Sequence, residues 1–127
     1  IFNAKAKWST DWFQTDLIEV YPGPDFHLLG AKVKEKLCAQ QFKISQQSNR
    51  MGIQLLETLE SDLPELPTNP VFPGTVQLTS GGKVIILGQD AQVTGGYPRI
   101  LQLTDLAKSI LAQKKPGQSI RFSLVKK

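Results

Sequence analysis

Three short stretches of this chain carry residue types and spacings that can do chemistry. Ser48 to Gly52 (SNRMG) sets an arginine between a hydroxyl and amide cluster and a glycine. Arg50 there can offer a planar fork to a carboxylate or phosphate, or pair with a nearby acid as an ordinary surface turn arginine. Thr94 to Pro98 (TGGYP) places two glycines before a tyrosine. Gly95 and Gly96 allow a close backbone approach or a positive φ, and Pro98 restricts Tyr97 to extended conformations. The stretch can aim a phenol and backbone N–H groups at an oxyanion, or form a hairpin turn with a packed aromatic. In Gly74 to Leu78 (GTVQL), alternation turns Gln77 away from Val76 and Leu78. Its carboxamide can donate to and accept from an amide-like substrate in a barrel mouth, or stand exposed on a strand.

The elements that must position these stretches are mostly short strands. Leu17 to Tyr21 reads as a strand stopped by Pro22-Gly23-Pro24, followed by an amphipathic helix over about 31–40. Phe42 to Ser45 and Met51 to Leu55 alternate in part. Glu57 to Pro73 holds four prolines and little hydrophobic periodicity; a loop of that length in a compact domain is expected to cover a site or meet a partner. Thr75 to Thr79 alternates, Gly81-Gly82 signals a hairpin, and Val84 to Leu87 (VIIL) reads as a central strand covered on both faces. Ile100 to Leu103 predicts a strand, Thr104 or Asp105 caps a helix through Gln113, and Ser119 to Val125 closes the chain. Six or seven strands, two short helices and many turns predict a barrel or rolled sheet. Residues 1–16 read as an irregular lead-in to one domain over 17–127.

Composition narrows the chemistry. Hydrophobic residues are 40 % and charged residues 20 % of 127, ordinary for a soluble globular chain. No apolar run is long enough to span a membrane, and the first residues lack the apolar core of a secretory signal. Cys38 is the sole cysteine and His27 the sole histidine. That excludes an internal disulfide, fits a reducing cytoplasmic compartment, and leaves too few ligands for a structural zinc site. Cys38 lies in a lysine-rich helical pattern that points to packing, not nucleophilic catalysis. The net charge of +4 comes from scattered lysine groups, a solvated surface with no aromatic interleaving of the nucleic-acid-binding kind. No GxxxxGK, GxSxG or HExxH motif occurs.

Taken in order, SNRMGIQL, PGTVQL, GKVIILGQDAQVTGGYPRILQ and LAQKKPGQSIRFSLV resemble the C-terminal half of the allophanate hydrolase subunit 2 family, also called the KipI-antagonist family. The similarity runs from about Ile18 to Val125. It implies a cyclophilin-like β-barrel and half of an active site that a partner completes. Bacterial members of the family serve as the C subunit of 5-oxoprolinase, which couples ATP hydrolysis to opening of the 5-oxoproline ring. They act with a KipI-like B subunit and an A subunit. The same domain pair forms the carboxyltransferase part of eukaryotic urea carboxylases, where carboxybiotin meets a urea-like substrate. A third role in the family is regulatory, as antagonist of a kinase inhibitor. The resemblance places Ser48, Arg50 and Gly52, then Gln77, then Thr94, Gly95, Gly96, Tyr97 and Pro98 on the family's motifs. Arg50 is expected to hold an anionic group and Gln77 a substrate amide, with Thr94, Tyr97 and the glycine backbone lining the pocket. These residues are expected to converge on one concave wall. No metal, no directly bound cofactor, no nucleic acid and no membrane are implied. The absence of the family's N-terminal half implies an excised domain.

Overall fold

The computed structural model describes residues 15–61, 63, 66–91 and 94–125. Most of the expected lead-in therefore lies outside the described residues, and β1 begins at Leu17. Seven strands form one sheet: β1 (Leu17–Pro22), β2 (Phe42–Lys43), β3 (Gly52–Thr58), β5 (Thr75–Leu78), β6 (Lys83–Leu87), β8 (Arg99–Leu103) and β9 (Ser119–Leu124). Their order is β2-β9-β1-β8-β5-β6-β3. All neighbours are antiparallel except β1 and β9, which run parallel with Ile18 opposite Phe122. The two outer strands then meet. Ile44, just after β2, bridges Leu55 of β3, and Ser45 N donates to Gln54 O at 2.8 Å. That contact rolls the sheet into a nearly closed, cyclophilin-like barrel and removes most of its free edge.

The period of two decides what fills the barrel. Ile18 and Val20 of β1, Val76 and Leu78 of β5, Val84 and Ile86 of β6, and Ile120 and Phe122 of β9 point inward and are essentially inaccessible. Phe42 and Phe122 meet as tilted rings 5.5 Å apart. Helix α1 (Ala31–Ala39) packs on β9 and buries Leu37. Helix α2 (Asp105–Ala112) packs on β1 and β8, burying Ala107, Ile110 and Leu111. The Thr104 hydroxyl accepts from Ala107 N and so supplies the cap that α2 needs.

Two expectations need correction. The β6 strand is not covered on both faces: Val84 and Ile86 are buried, but Ile85 and Leu87 are only half-buried and look onto a cavity. The proline-rich loop is shorter than its composition suggests, because β3 continues to Thr58. Within that loop, β4 (Asn69–Pro70) pairs with β7 (Thr94–Gly95), a flap that forms its own two-stranded ladder. Proline is tolerated there because each flap strand has an open edge. A short 3₁₀ turn, Phe26–Leu28, also follows β1; a three-residue turn leaves no periodic trace in sequence.

Candidate functional site

The flap lies against the sheet face turned away from the barrel core. Gln77 stands on that face between the inward Val76 and Leu78, and the flap covers it until only 6 % is accessible. Thr94, Gly95, Gly96 and Tyr97 close over it with Val71, while Met51, Ile85, Leu87 and Ala91 complete a cavity of about 280 Å³. No hydrogen bond to a described residue holds the Gln77 carboxamide, and its polar atoms are not sealed from the cavity: the fully buried, unpartnered side-chain atom among the described residues is Gln40 Oε1. A carboxamide that faces a cavity with both its donor and its acceptor unspent can bond a water or a ligand there. Gln77 is thus neither in the barrel mouth nor exposed on a strand. It sits on the outer wall, roofed.

The glycine pair works by closeness and not by backbone handedness. The described positive-φ glycines are Gly74, Gly82 and Gly117, so Gly95 and Gly96 do not use that freedom. A Cβ on Gly95 would lie 2.5 Å from Gln77 Nε2, and one on Gly96 would lie 3.3 Å from Leu66 O. Hydrogen at these positions lets the flap lie close without displacing the Gln77 carboxamide or Leu66 O. The flap is pinned by Leu66 N donating to Gly96 O at 3.0 Å and, beyond it, by Leu78 N donating to Pro98 O at 3.1 Å. Pro98 is buried, while Tyr97 beside it keeps 39 % of its surface accessible at the cavity rim. Thr94 is exposed at the flap edge.

The structure does not bring Ser48 and Arg50 to this cavity. They line a separate cavity of about 480 Å³, with Ile44, Ile53, Ile86 and Leu111. Ser48 Oγ donates to Gln54 O at 3.3 Å and accepts from Gln54 N at 3.1 Å, which ties the turn before β3. Arg50 Nε donates to Asp90 Oδ2 at 2.7 Å in an exposed pair. That hydrogen bond, and then the carboxylate's charge, push the guanidinium further up from its ordinary range, so it stays cationic at any working pH. Gly52 opens β3, and a Cβ on it would lie 3.3 Å from Ile85 Cγ2. The expected single concave wall is therefore two: Gln77 with Thr94–Tyr97 on one, Ser48 with Arg50 on the other. Leu87 contributes to both.

Other nucleophiles fit the site less well. Cys38 lies on α1, half-buried, and burial pushes its thiol up, opposite to what a reactive thiolate requires. Among the described residues no three His, Cys, Asp or Glu side chains group as metal ligands, and no helix is long and apolar enough to cross a membrane. Sequence reasoning missed a buried ion pair beside the flap. Arg99 Nε donates to Asp25 Oδ2 at 3.1 Å, and Arg99 Nη1 donates to Pro70 O at 3.2 Å. Residues so far apart in the chain give no local signal. The apolar lining was findable, because alternation through VIIL puts Ile85 and Leu87 on the same side as Gln77.

With this geometry in view, the likenesses to known proteins are informative. Residues 3–124 match the family described as carboxyltransferase domain, subdomain A and B. The chain is 36 % identical over 107 residues to the C subunit of 5-oxoprolinase from Escherichia coli, covering 83 % of this chain and 34 % of that protein. It is 33 % identical over 112 residues to the C subunit of 5-oxoprolinase from Haemophilus influenzae, covering 87 % and 36 % respectively. The chain thus spans about a third of the length of these relatives. The crystal structure of the Kluyveromyces lactis urea carboxylase superposes with a TM-score of 0.77 at 20 % identity, over 87 % of this chain and 11 % of that one, which speaks to fold alone. On the family match, which takes in nearly every residue from the lead-in to the last strand, the chain belongs to the carboxyltransferase-domain family.

Proposed function

We propose that this chain supplies one wall of a substrate pocket in a 5-oxoprolinase-type complex, where ATP-coupled hydrolysis opens the lactam ring of 5-oxoproline. The observation that carries the reading is the Gln77 carboxamide, buried under the flap with no partner among the described residues and facing the Thr94–Tyr97 cavity. A lactam presents one N–H and one C=O, the complement of a carboxamide that can accept through Oε1 and donate through Nε2. Tyr97 Oη and the flap backbone supply further polar contacts at the rim. Ser48 and Arg50 serve on the neighbouring wall, Arg50 exchanging Asp90 for an anionic group when a partner closes over both. The partners are a KipI-like subunit and an A subunit that handles ATP; this chain binds no cofactor directly and acts in the cytoplasm. The support is likeness to two C subunits together with a cavity too open to exclude water without a second chain.

The test is to reconstitute the full-length protein with a KipI-like subunit and an A subunit and to measure 5-oxoproline-dependent ATP hydrolysis. Replacing Gln77→Leu or Tyr97→Phe is expected to lower turnover about ten- to hundredfold, the worth of one or two hydrogen bonds in a closed site. Wild-type turnover in both variants would remove the pocket from the reaction. A second reading, carboxyl transfer from carboxybiotin to a urea-like amide, draws on the family description. It predicts instead that Gln77→Leu abolishes biotin- and bicarbonate-dependent consumption of urea.

A further inference from the structure

On the other side of the flap, a second cavity of about 440 Å³ opens on the same outer face of the sheet. Arg99, Lys108, Gln102, Thr75 and Phe72 line it, with three prolines at its rim, and none of its described lining residues is acidic. It shares no residue with the Gln77 cavity. The flap strand divides the two, since Pro70 and Phe72 face one and Val71 the other.

The polar groups here are held in place before any ligand arrives. Asp25, 8 % accessible, accepts at one carboxylate oxygen from both the backbone N and Nε of Arg99, at 2.8 and 3.1 Å. Pro70 O takes Nη1, and the Arg99 side chain is only 18 % accessible. Nη2 is left without an acceptor among the described residues. Gln102 is locked as a floor, accepting from Thr75 Oγ1 at 2.8 Å and donating to Pro73 O at 3.1 Å. Gly74, at φ +90°, makes room for that floor: a Cβ on it would lie 2.7 Å from Lys108 Cε and 2.9 Å from Gln102 Nε2. Lys108 Nζ sits 3.4 Å from Asp105, whose side chain is fully in water, so this acid offsets the lysine only weakly. Phe72, beside these cations, leaves 64 % of its surface in solvent.

A fixed guanidinium end, a second cation, and an exposed ring with prolines around it describe one class of ligand. The geometry points to a binding site for a small organic carboxylate with a planar or apolar body. The carboxylate lies between Arg99 Nη2 and Lys108 Nζ, and the body rests against Phe72 and the prolines. This site goes beyond the Gln77 pocket and stands or falls separately from it.

The experiment is calorimetric titration of the full-length protein with benzoate, benzamide and inorganic phosphate. Benzoate should bind saturably at one site, neutral benzamide should not bind, and phosphate should bind more weakly than benzoate. Lys108→Met should weaken benzoate about five- to tenfold, as expected for a partly exposed charge contact, and Phe72→Ala about threefold. Phe72→Ala should leave phosphate unchanged. Because removing Arg99 alone strands the buried Asp25, the arginine is tested as Asp25→Asn with Arg99→Gln, with a melting curve to verify folding. A folded double variant should lose benzoate binding. No saturable benzoate binding, equal binding of benzamide, phosphate binding tighter than benzoate, or wild-type affinity in both Lys108→Met and Phe72→Ala would each overturn the assignment.

Discussion

The flap cavity and the SNRMG turn look alike in sequence: each sets a polar side chain beside glycine at a strand end. They differ in what folding has done with the polar atoms. In the turn they are spent. Ser48 is bonded twice to Gln54, Asn49 Oδ1 takes Met51 N at 2.8 Å, and Arg50 is paired with Asp90. Under the flap, Gln77 is buried deeper than any of these and has no bonding partner among the described residues. Its donor and acceptor face the cavity and remain available to a ligand. Polar residues near glycines do not by themselves mark a site; unspent hydrogen-bonding capacity facing a cavity is the better sign.

The substitution that tests this contrast most severely is Gln77→Leu, read for activity and stability together. Complex turnover should fall about ten- to hundredfold. Denaturant unfolding should show stability within about 1 kcal/mol of wild type, because the carboxamide makes no hydrogen bond to a described residue that leucine would break. A loss of stability that tracks the loss of activity would make Gln77 a structural residue.

Two glycines sharpen the same contrast. Gly88 lies under the SNRMG turn, where a Cβ would run into Arg50 O and the adjoining backbone. Gly88→Ala should therefore cost about 1–3 kcal/mol of stability, since a strand or a turn must move. Gly95→Ala meets only the tip of a flexible side chain, Gln77 Nε2 at 2.5 Å. It should leave melting nearly unchanged while lowering turnover, because the carboxamide swings out of position. If the two alanines were equally destabilising, the flap would be as rigidly built as the turn. A milder probe is Ser48→Ala, which removes two hydrogen bonds of the turn and should cost about 1 kcal/mol in chemical denaturation, with a smaller loss of turnover than Gln77→Leu.

Much of this fold was legible because the barrel obeys period two. Alternation puts Ile18 with Val20, Val76 with Leu78, and Ile120 with Phe122 and Leu124 on common faces, and all of these but the half-buried Leu124 lie in the core. The capped helix after Thr104 was equally plain, since the capping hydroxyl and the apolar spacing lie within a dozen residues. What alternation cannot give is the closure of the barrel by Ile44 and Leu55, or a two-residue flap whose strands are 24 positions apart in the chain. The flap depends on contacts distant in sequence, and the local Ile44–Leu55 pairing does not by itself announce that it joins the two outer strands of the sheet. The candidate site was legible as a set of motifs but not as a geometry. Gln77 and TGGYP meet because the flap folds back, whereas Arg50 is carried to the far side of β6 by the register of β3.

Arg50→Ala carries the smallest expected effect and separates the two regions most directly. The Arg50–Asp90 pair is exposed, with 78 % and 54 % of the two side chains accessible, so water and salt screen it. The turn itself does not depend on the guanidinium. Its backbone is held by Gly88 N on Met51 O at 3.1 Å and Asp90 N on Arg50 O at 3.0 Å, bonds that alanine keeps. Melting should therefore be indistinguishable from wild type at low and at high salt. Turnover of the complex should fall less than in Gln77→Leu, since Arg50 must first release Asp90 to reach any substrate anion. A turnover loss as large as that of Gln77→Leu, with melting unchanged, would show that the partner joins the two walls into one pocket and that the separation seen in the isolated barrel ends on assembly.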